Sequence, residues 1–562
     1  MDRTENAGSI AKNDEFNLTI EDMSTDGAGI GRRNGFVWFV KDAVTGDVVT
    51  VRATKVGKSY GFARLMKIIT PSRQRTEPKC PVSKQCGGCQ LQMMDYHAQL
   101  RMKENMVKND LIRIGGIPEE ELNMKPILGM EEPWRYRNKA QFPIGRDRDG
   151  RIIAGFYAAR SHRIVECRDC LLGVTENKKI LDIILGFMEE QGIEPYDEER
   201  HQGLVRHVLI RKGFSSGELM VCIVINGERL VNKGGSDVGE LLAKQLLLIP
   251  GMKSISLNVN REKTNVILGR KIINLYGEGF ITDSIGGVNY RISPLSFYQV
   301  NPLQTEKLYG TALAYADLKK GTEVVWDLYC GIGTISLFLA RKAGKVYGVE
   351  IVPDAIRDAK ENAALNGLDN TEFFVGKAEE VLPEQYEKNH IAADVIVVDP
   401  PRKGLEQAVM DTMLKMAPRR IVYVSCNPAT LARDLKYLIA GGYRLKKVRC
   451  CDMFPHASHV ETVCLLSKLS EVKNHISVKV DMNEMDLTAA ESKATYQEIK
   501  EWVKEKYGFH VSHLNIAKTK RKCGIIERKN YNLPKNEDSR SPETPKEKEE
   551  AITEAFRHFQ MI

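Results

Sequence analysis

The stretch "EVVWDLYCGIGTISLFLARKAGKVYGVE", residues 323–350, decides the fold. "VVWDL" reads as a buried strand, "YCGIG" as a tight glycine turn and "TISLFLARKA" as a helix, and "KVYGVE" is the next strand, ending in Glu350. That succession is one unit of a parallel α/β sheet, and the alternation continues from residue 308 to 469. Gly331 and Gly333 let the backbone approach a ligand at the carboxyl end of the sheet. An acid at the end of the second strand, Glu350, is placed to accept hydrogen bonds from ribose hydroxyls. A dinucleotide site wants a third glycine so that the pyrophosphate can rest on the helix N-terminus, but here the run is Gly331-Ile-Gly333-Thr-Ile-Ser. S-adenosylmethionine carries no pyrophosphate and is favoured over a nicotinamide dinucleotide.

Working downstream, "ADVIVVDPPRKGL" is an apolar strand ending in Asp399-Pro400-Pro401-Arg402. Prolines cannot continue a central strand, so a rigid loop is expected at the same sheet edge as the glycine turn. The next strand, "RRIVYVSCNPAT", delivers Cys426 to that edge. A thiol there, beside a methyl donor, suits a carbon that is too weak a nucleophile to be methylated directly. Carbon 5 of a pyrimidine is such a carbon, and thiolate addition at carbon 6 makes it reactive. The scheme then needs a base to remove the proton from carbon 5. "PHASHVETVCLL" offers His456, His459 and Glu461, of which Glu461, a carboxylate opening an apolar strand, is read as the base and His459 as its orienter.

Working upstream, residues 16–70 read as about five short strands with glycine turns, a small OB-like β-barrel. Trp38, Phe39, Lys55, Lys58, Tyr60 and Arg64 are its candidate nucleic-acid contacts. Residues 134–300 look mainly β, and Arg135, Arg137 and Lys139 recur at period two, as on one face of a strand that meets phosphates. Between barrel and strands lies "CPVSKQCGGC", with Cys80, Cys86 and Cys89. With Cys167 or Cys170 as a fourth ligand the set suits zinc or an iron–sulfur cluster, and spacing alone does not separate them. The tail beyond residue 470 holds one amphipathic helix, "TYQEIKEWVKEKYG", a basic "KTKRKCG" and a polar stretch, and its role is not legible.

The chain of 562 residues carries 82 Lys+Arg against 74 Asp+Glu, a net charge of +8 that permits a nucleic-acid partner without demanding one. The opening "MDRTENAGSIAKNDEF" has no apolar core of a secretory signal, and no run is long enough to span a membrane. A cytoplasmic location with reduced thiols, no membrane association and no obligate protein partner is expected.

"DLYCGIGTISL", "DPPRKG", "SCNPATLARDL" and "HVETV", in this order, resemble the RNA uracil-5 methyltransferases, as do "SFYQVN" and "WRYRNKAQFPIG". The resemblance spans roughly residues 15–470. It implies a TRAM β-barrel at 10–70, a central β-rich domain at 71–298 and a Rossmann-like methyltransferase domain at 299–469. Residues 471–562 remain as a small α+β extension outside it. It implies Cys426 as nucleophile, Glu461 as base, and Gln299, Tyr329, Gly331, Gly333, Glu350 and Asp399 around S-adenosylmethionine. The branch acting on 23S ribosomal RNA is similar in its cysteines and implies a structural [4Fe-4S] cluster on Cys80, Cys86, Cys89 and Cys170, with Cys167 as an extra thiol. The expected activity is therefore methylation of a uridine in 23S ribosomal RNA, with tRNA uracil-5 and RNA cytosine-5 methylation as alternatives.

Overall fold

The computed structural model describes residues 10–319, 321–469, 496–523 and 544–559. Five strands, β1 (Glu15–Met23), β2 (Gly29–Arg33), β3 (Phe36–Lys41), β4 (Val48–Val56) and β5 (Tyr60–Thr70), close a barrel in the order β1-β2-β3-β5-β4. Strict alternation in β1 turns Phe16, Leu18 and Ile20 inward against Trp38, Val40, Val49 and Val51. Trp38 is core, not an RNA-facing aromatic. Gly61 makes room for it, because a Cβ there would lie 2.5 Å from the indole ring. Phe39, Tyr60 and Phe62 instead meet on the outer face, with centroids 5.6–5.7 Å apart.

Helix α1 (Tyr96–Arg113) and strand β6 (Met124–Leu128) follow. The central sheet takes β7 (Lys139–Arg146), β8 (Ile152–Tyr157), β9 (Ile164–Glu166), β10 (Val205–Lys212), β11 (Leu219–Ile225), β12 (Met252–Val259) and β13 (Lys271–Tyr276). Its order is β13-β12-β11-β10-β7-β8-β9. Helices α2 (Glu176–Gln191) and α3 (Gly239–Leu246) add to this region's core, so it is less purely β than the sequence reading expected. A hairpin of β14 (Ile281–Ile285) and β15 (Val288–Ile292) leads into the catalytic region.

There, helix α4 (Pro302–Ala316) precedes β16 (Val324–Leu328), α5 (Thr334–Ala340), β17 (Lys345–Glu350), α6 (Pro353–Leu365) and β18 (Thr371–Val375). The chain continues through α7 (Ala378–Glu387), β19 (Val395–Val398), α8 (Gln407–Met416), β20 (Arg420–Ser425), α9 (Pro428–Ala440), β21 (Tyr443–Cys451) and β22 (Glu461–Lys468). The sheet order is β18-β17-β16-β19-β20-β22-β21-β6. The first five strands of that order are parallel, and β22 inserts antiparallel between β20 and β21. The order reverses between β16 and β19, and an open α/β sheet binds its ligand outside the carboxyl ends at such a switch point. Trp326 is buried at the centre, stacked with Tyr347 and Phe374. Although α1 and β6 precede the central sheet in sequence, they belong to this layer: β6 pairs with β21, and Val107 and Leu111 of α1 join its core.

Residues 471–562 form a separate compact unit. Helices α10 (Tyr496–Tyr507), α11 (His513–Lys522) and α12 (Lys546–His558) bury Ile499, Val503, Ile516, Ile552 and Phe556 together, while Trp502 stacks on His558. The expected α+β character appears only as helices among the described residues, and most of the polar stretch after "KTKRKCG" lies outside them.

Candidate active site

After β16 the chain reverses sharply, with Tyr329, Gly331 and Gly333 at φ 69°, 55° and 81°. The glycines adopt this left-handed backbone freely, whereas Tyr329 is held there at some cost. The amide of Gly331 donates to Glu350 Oε2 at 3.3 Å, and that of Val352 donates to Oε1 at 3.0 Å, so the carboxylate is braced at the end of β17. Beside this turn opens a cleft of about 1160 Å³ whose lining includes Gln299, Tyr329, Gly331, Glu350 and Asp399. Gly333 stands apart. A Cβ on it would meet Ala359 of α6 and Phe373 of β18 at 3.3–3.4 Å, so it lets the turn pack closely on those elements and does not line the cleft.

Cys426 follows β20, and Glu461 opens β22. Because the two strands run antiparallel with Ser425 opposite Thr462, both groups emerge at the same sheet edge and line the same cleft. Burial raises both Asp399 and Glu461 well above the ordinary carboxylate range, and Glu461 is raised further by Asp399. Burial, then Glu461 and Asp399, push the Cys426 thiol up to about 11, so the cleft at rest holds a thiol, not a thiolate. Arg402 opposes both shifts. Its guanidinium donates to His459 Nε2 at 3.4 Å, and burial followed by Arg402 lowers the pKa of that imidazole. His459 is thus turned to Arg402, where the sequence reading made it an orienter of Glu461. Arg402, within "DPPRKG", is a site residue that the local sequence pattern does not single out.

His456, the other histidine of that segment, is buried away from the reacting edge. Its ring stacks on Trp134 at 3.8 Å, and Gln99 Nε2 lies 3.2 Å from Nδ1.

Cys80, Cys86, Cys89, Cys167 and Cys170 line a second cavity, of about 350 Å³, walled also by Phe156, Leu171 and Leu172. Burial pushes the thiols of Cys80 and Cys86 up, and that of Cys89 to about 12. A hydrogen bond between Cys167 and Cys170 holds Cys170 down and Cys167 up. Among the described residues no three His, Cys, Asp or Glu groups form a ready single-ion site. The expected row of phosphate contacts is not formed. Arg135, at φ 55°, pairs with Asp169 at 2.5 Å, and Lys139 borders the cysteine cavity with its pKa lowered by burial to about 8. Arg137 borders both cavities.

Residues 283–469 match the tRNA (uracil-5-)-methyltransferase family model, and residues 12–66 match the TRAM domain. An uncharacterized RNA methyltransferase of Halalkalibacterium halodurans is 50% identical over 465 residues, covering 83% of this chain and 98% of the relative. A second, from Clostridium tetani, is 48% identical over 464 residues, with 83% and 98% covered. The chain belongs to the uracil-5 RNA methyltransferases. Among solved structures of this kind, the Pyrococcus abyssi tRNA (uracil-54, C5)-methyltransferase in complex with S-adenosyl-L-homocysteine superposes with a TM-score of 0.64. It is 28% identical, and the match covers 80% of this chain and 99% of that one. The chain is thus an S-adenosylmethionine-dependent RNA methyltransferase with a TRAM barrel and a Rossmann-like catalytic sheet. No helix among its described residues is long and apolar enough to cross a membrane.

Proposed function

We propose that the protein methylates carbon 5 of a uridine in 23S ribosomal RNA through a covalent Cys426 adduct. The observation that carries this reading is the convergence of Cys426, Glu461, Asp399 and the Gly331 turn on one cleft. S-adenosylmethionine, when bound, supplies the methyl group, and Gln299, Tyr329, Glu350 and Asp399 are the residues placed to hold it. A target base must leave its stack to enter such a cleft. The Cys426 thiol gives up its proton to water in the open cleft, a loss that Arg402 favours, and the thiolate adds to carbon 6; carbon 5 becomes an enolate carbon that takes the methyl group as S-adenosylhomocysteine leaves. Glu461, in the ionised form that Arg402 favours, then accepts the carbon 5 proton. The freed electron pair forms the carbon 5–carbon 6 double bond, and the carbon 6–sulfur bond breaks to release Cys426. A carboxylate whose pKa is raised by burial is a stronger base than an exposed one, which suits it to a carbon acid. Phe39, Tyr60 and Phe62, set among the cations of the barrel's outer face, add a surface for unstacked bases.

The cysteine cavity supports the ribosomal branch over the tRNA branch. A single zinc ion draws four thiolates to about 2.3 Å around one point, whereas these thiols border some 350 Å³. Cys80, Cys86, Cys89 and Cys170 would hold a [4Fe-4S] cluster there, and the Gly88 amide already donates to the Cys86 sulfur at 3.4 Å. Four protein ligands leave no open iron, so the group is structural. The second reading is tRNA, favoured by the substrate in the name of the Pyrococcus abyssi enzyme.

Nucleoside mass spectrometry after reaction with unmodified 23S ribosomal RNA and, separately, tRNA decides between them: 5-methyluridine in the ribosomal RNA alone is the expected result. RNA carrying 5-fluorouridine at the target should stay covalently attached to Cys426, because no proton can leave carbon 5. An active enzyme that forms no such adduct would rule out the covalent route.

A further inference from the structure

The loop between β21 and β22 carries Phe454, His456 and His459 and ends on Glu461, and it is fastened at each residue from Asp452 to His456. Lys103 of α1, fully buried, donates to Asp452 Oδ1 at 2.5 Å and to the carbonyl of Phe454 at 3.0 Å. Asn301 holds the carbonyl of Met453 at 3.1 Å, and Tyr136 that of Pro455 at 3.0 Å. The loop turns at His456, whose φ of 67° is a left-handed conformation in which a residue other than glycine persists only when its surroundings fix it.

Those surroundings are unusual in their origin. The carbonyl of His456 accepts from the amides of both Gln90 and Leu91, at 2.9 Å each, and Gln90 directly follows Cys89. The amide of His456 donates to Gln99 Oε1 at 3.0 Å, while Gln99 Nε2 donates to the carbonyls of Leu91 and Met94 at 3.0 and 2.9 Å. One glutamine side chain, itself buried, therefore ties the end of the cysteine loop to the turn of the catalytic loop. Trp134 closes the arrangement by stacking on the imidazole.

We infer that Gln99 and His456 are positioning residues that couple the cysteine cavity to the catalytic base, setting where Glu461 stands relative to the RNA-bound carbon 5. The inference rests on Glu461 being the base, as proposed above. Neither residue touches the reacting atoms. Their displacement acts on the proton-removal step, because Cys426 is carried by β20, outside the loop they fasten. The cysteine loop would then support the elimination half of the reaction and leave thiolate addition to β20.

The test uses the full chain purified anaerobically, unmodified RNA and S-adenosylmethionine, with Gln99→Leu, His456→Asn and Glu461→Gln compared against the parent. The readouts are denaturation-resistant protein–RNA adduct, methyl transfer in the first turnover, steady-state kcat, RNA affinity and melting temperature. Expected for Gln99→Leu and His456→Asn is a kcat lowered ~10- to 100-fold with the adduct accumulating, as a small misplacement of a catalytic group costs. First-turnover transfer and RNA affinity should stay within about threefold of the parent, the pattern of a defect confined to one step. His456→Asn keeps a residue tolerant of the left-handed turn, so it carries the test should Gln99→Leu fold poorly. Variants that fold and turn over slowly without accumulating adduct, while Glu461→Gln does accumulate it, would overturn the coupling alone. Normal adduct release by Glu461→Gln would overturn the assignment of the base, and the coupling with it.

Discussion

Cys426 and the five thiols of the central region are both cysteine sites facing a cavity, and nearly everything else about them differs. Cys426 stands alone on the edge of a parallel sheet, in a wide cleft among acids, with one arginine close enough to favour its thiolate. The other thiols crowd a cavity less than a third the size, and their neighbours are mainly one another. A nucleophile needs room for its substrate and one chemical contact, whereas ligands need each other. With the roles proposed above, number and enclosure rather than acidity distinguish the nucleophile from the ligands, since burial raises Cys426 and Cys89 alike.

Substitution sharpens that contrast, most strongly in the cleft. Cys426→Ala should lower methylation on the order of 10³-fold or more while leaving S-adenosylmethionine binding by calorimetry and the melting temperature almost unchanged. Cys89→Ser should act through the fold instead, losing iron by metal analysis and lowering the melting temperature by roughly 5 °C or more, with activity falling only as the fold loosens. Cys167→Ser is the finer test. Iron content should be retained if Cys170 is the fourth ligand, and its loss would reassign that position.

The smallest effect concerns protons. Burial raises Glu461 above the ordinary 4.5, so the folded chain binds this proton more tightly than the unfolded chain does. Its contribution to stability is fully present below the unfolded pKa and is lost as pH rises through the folded value. The ligand-free protein should therefore melt lower as pH increases above about 5. Glu461→Gln should flatten that slope, with the variant gaining stability over the parent at the alkaline end. A slope unchanged by the substitution would show that Glu461 is not the group that titrates.

Much of this was legible in the sequence where local chemistry sets the structure. The turn at Gly331 and the delivery of Asp399 and Cys426 to one edge follow from strand-then-loop patterns, and that of Glu461 from a loop that opens a strand. What escaped depends on partners distant in the chain. β6 reads as an isolated apolar scrap until it pairs with β21, more than 300 residues away. Arg402 acquires meaning only when His459 and Glu461 arrive beside it. Trp38 and Phe39 are adjacent, and only the barrel's closure assigns one to the interior and the other to the surface. Helix α2 was available in principle, from Ile180, Leu181, Ile184, Leu185 and Met188 at helical spacing with Gly192 as a left-handed cap.

The chain has four tryptophans, and the fold gives each a different post: Trp38 in the barrel, Trp134 against His456, Trp326 in the catalytic sheet and Trp502 in the helical unit. Nature has thus installed one intrinsic fluorophore per region. Variants keeping a single indole would report separately on how each region melts, and a chain built from several cores need not melt in one step. The Trp134 signal, with an imidazole stacked at 3.8 Å as a quencher, would brighten when the turn at His456 lets go.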